Sequence, residues 1–300
     1  MSTVAQISAP PDLSSIVDRL CAISEKACVA PHEAIEWPAS VGPDEWCMSP
    51  ELVSLHGTPA FAAMSEPLQK RLAFFETVNF FSLNINGEKS LIEGLARRLY
   101  PPRGKSVTGV DLSPYIHHFL DEENKHMFYF GTFCRKYAGK TYPEKKLAVA
   151  REEAPGEADL LFFLKVMIFE EIVDVYNVRM SRDERLAPVA RRINLLHHQD
   201  ETRHLVFGRL LVKTLWETLS PSWSVEQREG IGNYARSYFE ATWKEYYNPE
   251  VYRDAGIADS YSVYKEALAH AETRAHRARV SAKCVKYLRE IGILSEEPSL

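Results

Sequence analysis

The segment His197-His198-Gln199-Asp200-Glu201-Thr202-Arg203-His204 constrains the fold more than any other part of the chain. On an α-helix, His197, Glu201 and His204 fall at i, i+4 and i+7, which places imidazole, carboxylate and imidazole on one stripe. Such a stripe suits iron, manganese or zinc far better than it suits an apolar core. Upstream, Glu122-Glu123-Asn124-Lys125-His126 repeats half of the pattern, with Glu123 and His126 again reading Glu-x-x-His. Two Glu-x-x-His pairs in one helical chain mark a carboxylate-bridged two-metal site inside a four-helix bundle. The chain is therefore expected to be all-α, with one further glutamate on each of the two remaining helices.

Composition narrows the alternatives. A chain of 300 residues, 45% hydrophobic, suffices for one large core, and residues 1–300 are read as a single domain. The formal charge of −5 gives no electrostatic reason to expect nucleic acid or an anionic membrane as partner. The five cysteines are scattered, with no Cys-x-x-Cys pair, so neither a zinc ribbon nor a disulfide framework is suggested. The stretch Met1 to Leu13 is polar and proline-bearing, without an apolar signal core. No apolar run is long enough to span a bilayer, and the expected location is cytoplasmic.

Residues 1–60 carry many prolines and read as one helix, about Leu13 to Ala27, followed by a wrapping segment. Ser65-Glu66-Pro67 is a helix start with Ser as N-cap and proline in the first turn. That helix should run towards Tyr100, bent or interrupted near Asn84, Asn86 and Gly87, and stop at Pro101-Pro102-Arg103-Gly104. Ser113-Pro114 should open the next, reaching about Tyr137. A third is expected over about Ala158 to Met180 and a fourth over about Leu186 to Leu219, completing a metal-binding core over residues 65–219. Residues 220–300 should add helices at about Val225 to Tyr247 and Ser262 to Ile291.

The missing glutamates follow from height. Glu123 lies ten residues after Ser113, or about 15 Å above that loop. Its partner on the preceding antiparallel helix should lie ten to twelve residues before Tyr100, and Glu88 lies twelve before. Glu76 would be roughly 18 Å too far, and Glu93 about 7 Å too close. Glu88 also shares a stripe with Phe81, Leu91, Ile92 and Leu95. The same count on the second pair points to Glu170-Glu171, eleven and ten residues before Ser181. Glu170 shares an apolar face with Phe163, Val166, Met167 and Val173, but the count alone leaves Glu171 open.

A ligating histidine usually gives its second ring N–H to a carboxylate. Asp200 and Glu122 each precede a ligand glutamate, and are expected to reach the opposite histidine, Asp200 to His126 and Glu122 to His204. His117 and His118 lie more than a turn from the metal layer and are read as structural. His270 and His276, in a charged segment, are read as solvated. Tyr129, one turn beyond His126, is read as core, with a redox role as the alternative.

The ligand order resembles that of the p-aminobenzoate N-oxygenase (AurF-type) family, non-haem di-iron enzymes of the ferritin-like superfamily. That family runs Glu, Glu-x-x-His, Glu, His-x-x-x-Glu-x-x-His, and this chain offers Glu88, then Glu123 and His126, then Glu170, then His197, Glu201 and His204. The resemblance favours Glu170 over Glu171 and His197 over His198. It implies a four-helix bundle with extra N- and C-terminal helices, two iron ions, O₂ as co-substrate, and oxidation of a primary amine through hydroxylamine towards nitroso or nitro by way of a peroxo-diferric species. It further implies a small-molecule amine, free or carrier-protein-tethered, an external electron-donating reductase, a homodimer and a role in nitro-group or antibiotic biosynthesis. The rival readings are a di-iron carbon hydroxylase or desaturase, which lacks the third histidine, and a ferritin-like storage protein or metal oxidase.

Overall fold

In the computed structural model, residues 12–101, 108–144 and 156–300 are described. Residues 1–11 and the Pro102–Gly104 part of the expected helix stop lie outside them. The helices are α1 (Leu13–Ala27), a short α2 (Pro59–Ala62), α3 (Glu66–Ala96), α4 (Ser113–Phe133), α5 (Glu157–Arg182), α6 (Pro188–Leu219), α7 (Val225–Tyr246), α8 (Pro249–Ala255), α9 (Ser260–Ala269) and α10 (Ala271–Glu290). No strand occurs among the described residues, only an isolated bridge between Trp46 and Leu186. The fold is all-α. No described helix is long and apolar enough to cross a membrane.

Four long helices form the frame, with α3 packed on α4 and α5 on α6. The helix α1 lies against α4 and α6, α7 against α3 and α5, α8 against α3, and α10 against α5. The frame therefore has cover on several sides, and its interior can hold groups that water would otherwise solvate.

The helix α3 runs without interruption through Asn84, Asn86 and Gly87, where a bend or interruption was expected. Three of its buried polar residues turn their donors onto the preceding turn. Thr77 Oγ1 donates to the Ala73 carbonyl, Ser82 Oγ to Val78 and Asn84 Nδ2 to Phe80, at 2.9, 2.6 and 2.8 Å. These bonds satisfy the side chains without breaking the ladder. Gly87 serves packing, because a methyl group there would meet the Phe169 ring of α5 at 3.2 Å. Ser65 occupies the N-cap position but makes no capping bond.

Helix α4 starts at Ser113 as expected, while later boundaries differ for local reasons. Helix α4 begins with Asp111 Oδ1 accepting from the Ser113 backbone N–H at 2.9 Å, while Ser113 Oγ accepts from the Tyr100 N–H at 3.0 Å. After Phe133 it widens into a turn over Cys134–Ala138, and Gly139 stops it with φ +65°. The last expected helix is split at His270, whose extended backbone separates α9 from α10 and whose Nδ1 accepts from the Glu272 N–H at 3.3 Å. Helix α8 was not foreseen; Asn248 caps it and Gly256 ends it.

The segment before α2 is pinned to the α5–α6 turn. Ala187 N–H donates to the Trp46 carbonyl at 2.8 Å and Ser49 Oγ to Asp183 at 2.6 Å. Arg185 bridges Glu51 and Asp183 at 2.7 and 2.6 Å. The N-terminal part of the chain thereby fixes the loop that sets the phase of α6 against α5.

Candidate metal centre

Each frame helix contributes to one buried cluster. Glu88 comes from α3, Glu123 and His126 from α4, Glu170 from α5, and His197, Glu201 and His204 from α6. All seven are at most 4% exposed. Three groups each present one ligand atom per residue within 4.8 Å of one another: Glu88 with His126 and His197, Glu123 with Glu201 and His204, and Glu170 with His197 and Glu201. Glu201 Oε1 lies 3.0 Å from His197 Nε2, 3.1 Å from His204 Nδ1 and 3.6 Å from His126 Nδ1. It is the carboxylate that reaches all three imidazoles. Glu88 Oε1 is 3.9 Å from both His126 Nδ1 and His197 Nε2.

The neighbours of these histidines decide which ring nitrogen faces the cluster. His126 Nε2 lies 3.1 Å from Asp200 Oδ2, so Nδ1 turns inward. His204 Nε2 lies 2.8 Å from Glu122 Oε2, and its Nδ1 turns inward too. His197 is reversed, with Nε2 inward and Nδ1 at 2.9 Å from the Asn177 side-chain amide. The orientation of an amide is set by its partners. The atom placed against the ring is Nδ2, with Oδ1 left unpartnered; with the amide turned over, Asn177 Oδ1 accepts the Nδ1 proton and leaves Nε2 with a free lone pair. Phe119 stacks on His204 at 3.8 Å and Phe130 meets His197 edge-on at 4.9 Å, so the ring planes are held.

One cation ties the supporting carboxylates together. Arg203, 6% exposed, donates from one terminal nitrogen to Glu122 Oε1 at 2.5 Å and to Asp200 Oδ1. It thus orients His126 and His204 at once through their partners. Sequence reasoning quoted Arg203 within the motif but gave it no role. Its position three residues after Asp200, on the flank facing α4, was the available signal. Asn177 was also missed, although it lies seven residues after Glu170 and so on the same stripe of α5.

The remaining candidates fall outside the cluster. Glu171 pairs with Arg209 instead, while Glu170 keeps a buried Oε2 without a hydrogen-bond partner. His198 binds Asp174 at 2.6 Å. His117 is exposed and sits 2.8 Å from the Tyr100 hydroxyl. His276 is half-buried rather than solvated, with Nε2 at 3.2 Å from the Tyr176 hydroxyl. Its burial and the nearby Arg279 push its pKa down to about 4. Tyr129 is buried, and burial pushes its hydroxyl up to about 12.

The donor set of the cluster is one that can hold cations. Both oxygens of Glu88 and of Glu123, Oε2 of Glu170 and of Glu201, His126 Nδ1 and His197 Nε2 are buried without a hydrogen-bond partner. Buried polar atoms seldom go unpaired, and here they converge. Burial, and next the Glu123 carboxylate, drives the Glu88 carboxyl well above the usual carboxylate range. Burial and the Glu201 charge do the same to Glu170. Two divalent ions would set four positive charges against the four carboxylates. Four oxygen donors with three imidazoles and no thiolate suit iron or manganese.

The profile of the P-aminobenzoate N-oxygenase AurF family matches residues 10–292. No curated protein matches the chain.

Proposed function

Because the chain belongs to the P-aminobenzoate N-oxygenase AurF family, we propose that it is a di-iron oxygenase that transfers an oxygen atom from O₂ to a primary amine. The observation that carries this reading is His197, a third imidazole placed inside a cluster that already holds four carboxylates and two histidines. Glu88, Glu123, His126, Glu170, His197, Glu201 and His204 would hold the iron. When bound, two irons supply redox equivalents to reduce O₂ beside the amine.

The chain's own residues set the conditions for that chemistry. Asn177, Asp200 and Glu122 fix the ring nitrogens that face inward, and Arg203 fixes two of those partners. Phe119, Phe130 and the apolar walls of the frame keep bulk water from the cluster, which strengthens every charge interaction there. The first oxidation has the balance RNH₂ + O₂ + 2e⁻ + 2H⁺ → RNHOH + H₂O. Its electrons would come from an external reductase or small reductant, since no flavin or nicotinamide motif is present in the sequence. Further oxidation towards nitroso or nitro, and a place in specialised-metabolite biosynthesis, belong to the same proposal.

The test is turnover of the iron-loaded, chemically reduced protein on a panel of aryl and alkyl amines under isotopically labelled O₂. The expected product is a hydroxylamine, nitroso or nitro compound whose label lies on nitrogen. Label on carbon would instead assign a hydroxylase, and unaltered amines across the panel would contradict the reading.

A further inference from the structure

Two buried asparagines take no part in the metal cluster or in its support. Asn84 lies on α3 four residues before Glu88, and Asn194 on α6 three residues before His197. Both are buried, Asn194 completely. Each turns its amide the same way. Asn84 Nδ2 donates to the Phe80 carbonyl at 2.8 Å, and Asn194 Nδ2 to the Ala190 carbonyl at 2.7 Å. A carbonyl can only accept, so these bonds decide which end of each amide is the nitrogen. The oxygens are left over. Asn84 Oδ1 and Asn194 Oδ1 are buried with no hydrogen-bond partner among the described residues. A buried acceptor without a donor is costly, and two of them stand directly beneath the ligand layer.

Both asparagines belong to one floor of the frame. Residues three or four apart share a helix face, so Asn84 lies below Glu88 and Asn194 below His197, by about 6 and about 4.5 Å along their axes. Those two ligands meet across the core, with Glu88 Oε1 at 3.9 Å from His197 Nε2. The two helices descend towards the same end. Phe80, four residues before Asn84, stacks on Tyr176 near the C-terminal end of α5 at 5.4 Å, and that end of α5 turns into the N-terminal end of α6. Phe130 closes the α4 side, 4.8 Å from Phe81 and 4.9 Å from His197. On α5, Asn177 is engaged by His197 Nδ1 at 2.9 Å. The floor thus presents two unfilled acceptors between aromatic rings, one turn below the ligands.

An uncharged primary amine carries two N–H donors and one lone pair, and the lone pair must face the metals for oxygen to reach nitrogen. We propose that Asn84 and Asn194 seat the substrate amine, each Oδ1 accepting one of its two N–H bonds, so that the nitrogen lone pair points into the ligand layer. The inference rests on the oxygenase reading above and adds to it the residues that orient the nitrogen. Neutral acceptors suit the task. A carboxylate in their place would favour the ammonium form, whose lone pair is taken up by a proton and cannot receive oxygen. Amide oxygens accept the same N–H bonds without fixing a positive charge on the nitrogen. Two acceptors also select a primary amine, because a secondary amine leaves one oxygen unfilled and a tertiary amine leaves both. Holding the nitrogen in one orientation beside the reacting centre lowers the barrier as well as raising affinity.

Calorimetric affinities on protein loaded with ferrous iron and kept free of O₂ test the seat without turnover. The probes are aniline, chosen because the walls of the floor are aromatic, N-methylaniline, and toluene, in which a methyl group replaces the amine nitrogen. Aniline should bind at least about tenfold more tightly than toluene, which leaves both oxygens unpaired, with N-methylaniline between them. Asn84→Leu and Asn194→Leu exchange each amide for an apolar side chain of similar size. Each should bind the same iron and melt no lower than the unmodified protein, since an unfilled acceptor has been removed, yet lose most of the preference for aniline. If a leucine variant fails to fold, the probe series on unmodified protein still decides. Aniline bound there no more tightly than toluene overturns the proposal, and iron uptake shows that the oxygenase reading survives it. A preference for aniline that persists in both leucine variants also overturns it. Unmodified protein that takes up no iron overturns the oxygenase reading first, and the amine seat with it.

Discussion

Replacing Glu201 with alanine should cost the protein at least one of its two irons and lower amine oxidation by more than about 100-fold. Removing a residue that merely supports a metal ligand costs roughly 10–100-fold in affinity or activity, and Glu201 stands closer to the centre than that. Its Oε1 is within 3.6 Å of the inward nitrogens of all three histidines, so its loss removes the contact shared by both lobes of the cluster. The variant should nevertheless fold. Without metal, its loss relieves repulsion with Glu88 and Glu170 but also takes away the carboxylate that His204 and His197 face, and the two effects oppose each other. Iron analysis beside a thermal melt separates the two effects. A variant that still binds two irons per chain and turns over normally would show that Glu201 is not a ligand.

Arg203→Met should act in the opposite way, on stability first. The arginine is buried between Glu122 and Asp200, and its removal leaves the buried Glu122 and the half-buried Asp200 without the guanidinium that joins them. Breaking a buried pair by deleting one partner typically costs about 3–5 kcal/mol, which is a large share of the stability of a domain. A melting temperature lowered by several degrees is expected. Iron affinity should also fall, by roughly 10–100-fold, because Asp200 and Glu122 no longer hold His126 and His204 in place. Arg203→Lys should recover only part of both losses, since an ammonium lacks the planar fork. A methionine variant with an unchanged melt and unchanged iron affinity would show that the bridge is ornamental.

The contrast between these two residues shows what a sequence can disclose. Glu201 lies on a helical stripe with His197 and His204, and a stripe is readable because helical periodicity is local. Heights are readable too: counting from the loops singled out Glu88 over Glu76 and Glu93, and Glu88 sits beside His126 and His197 while Glu76 lies on a different floor of the frame. Between Glu170 and Glu171 the count was indecisive. What separates them is Arg209, which takes Glu171 away, and that pairing depends on the rotation of α6 against α5.

Features made by distant segments were not legible. Arg203 gains its meaning only when Asp200 and Glu122, on different helices, come within reach of one guanidinium. The break between α9 and α10 has no strong helix breaker in it. It is held by Thr273 and Arg277, which turn their side chains back to the carbonyls of Ala267 and Leu268. His276 looked solvated within a charged segment, yet α10 packs on α5 and presents it to Tyr176. Glu76 was weighed only as a ligand and set aside on height, and its surroundings are contributed by Ser54, Tyr176, Tyr246 and Tyr252, which the sequence scatters over some two hundred residues.

The di-iron reading requires two irons held by these seven residues, and anaerobic titration with ferrous iron tests that most directly. Metal-free protein should bind two ferrous ions per chain, and each of the single variants Glu123→Ala and His197→Ala should bind fewer. Stoichiometry of one or none in the unmodified protein, or two in both variants, would contradict it.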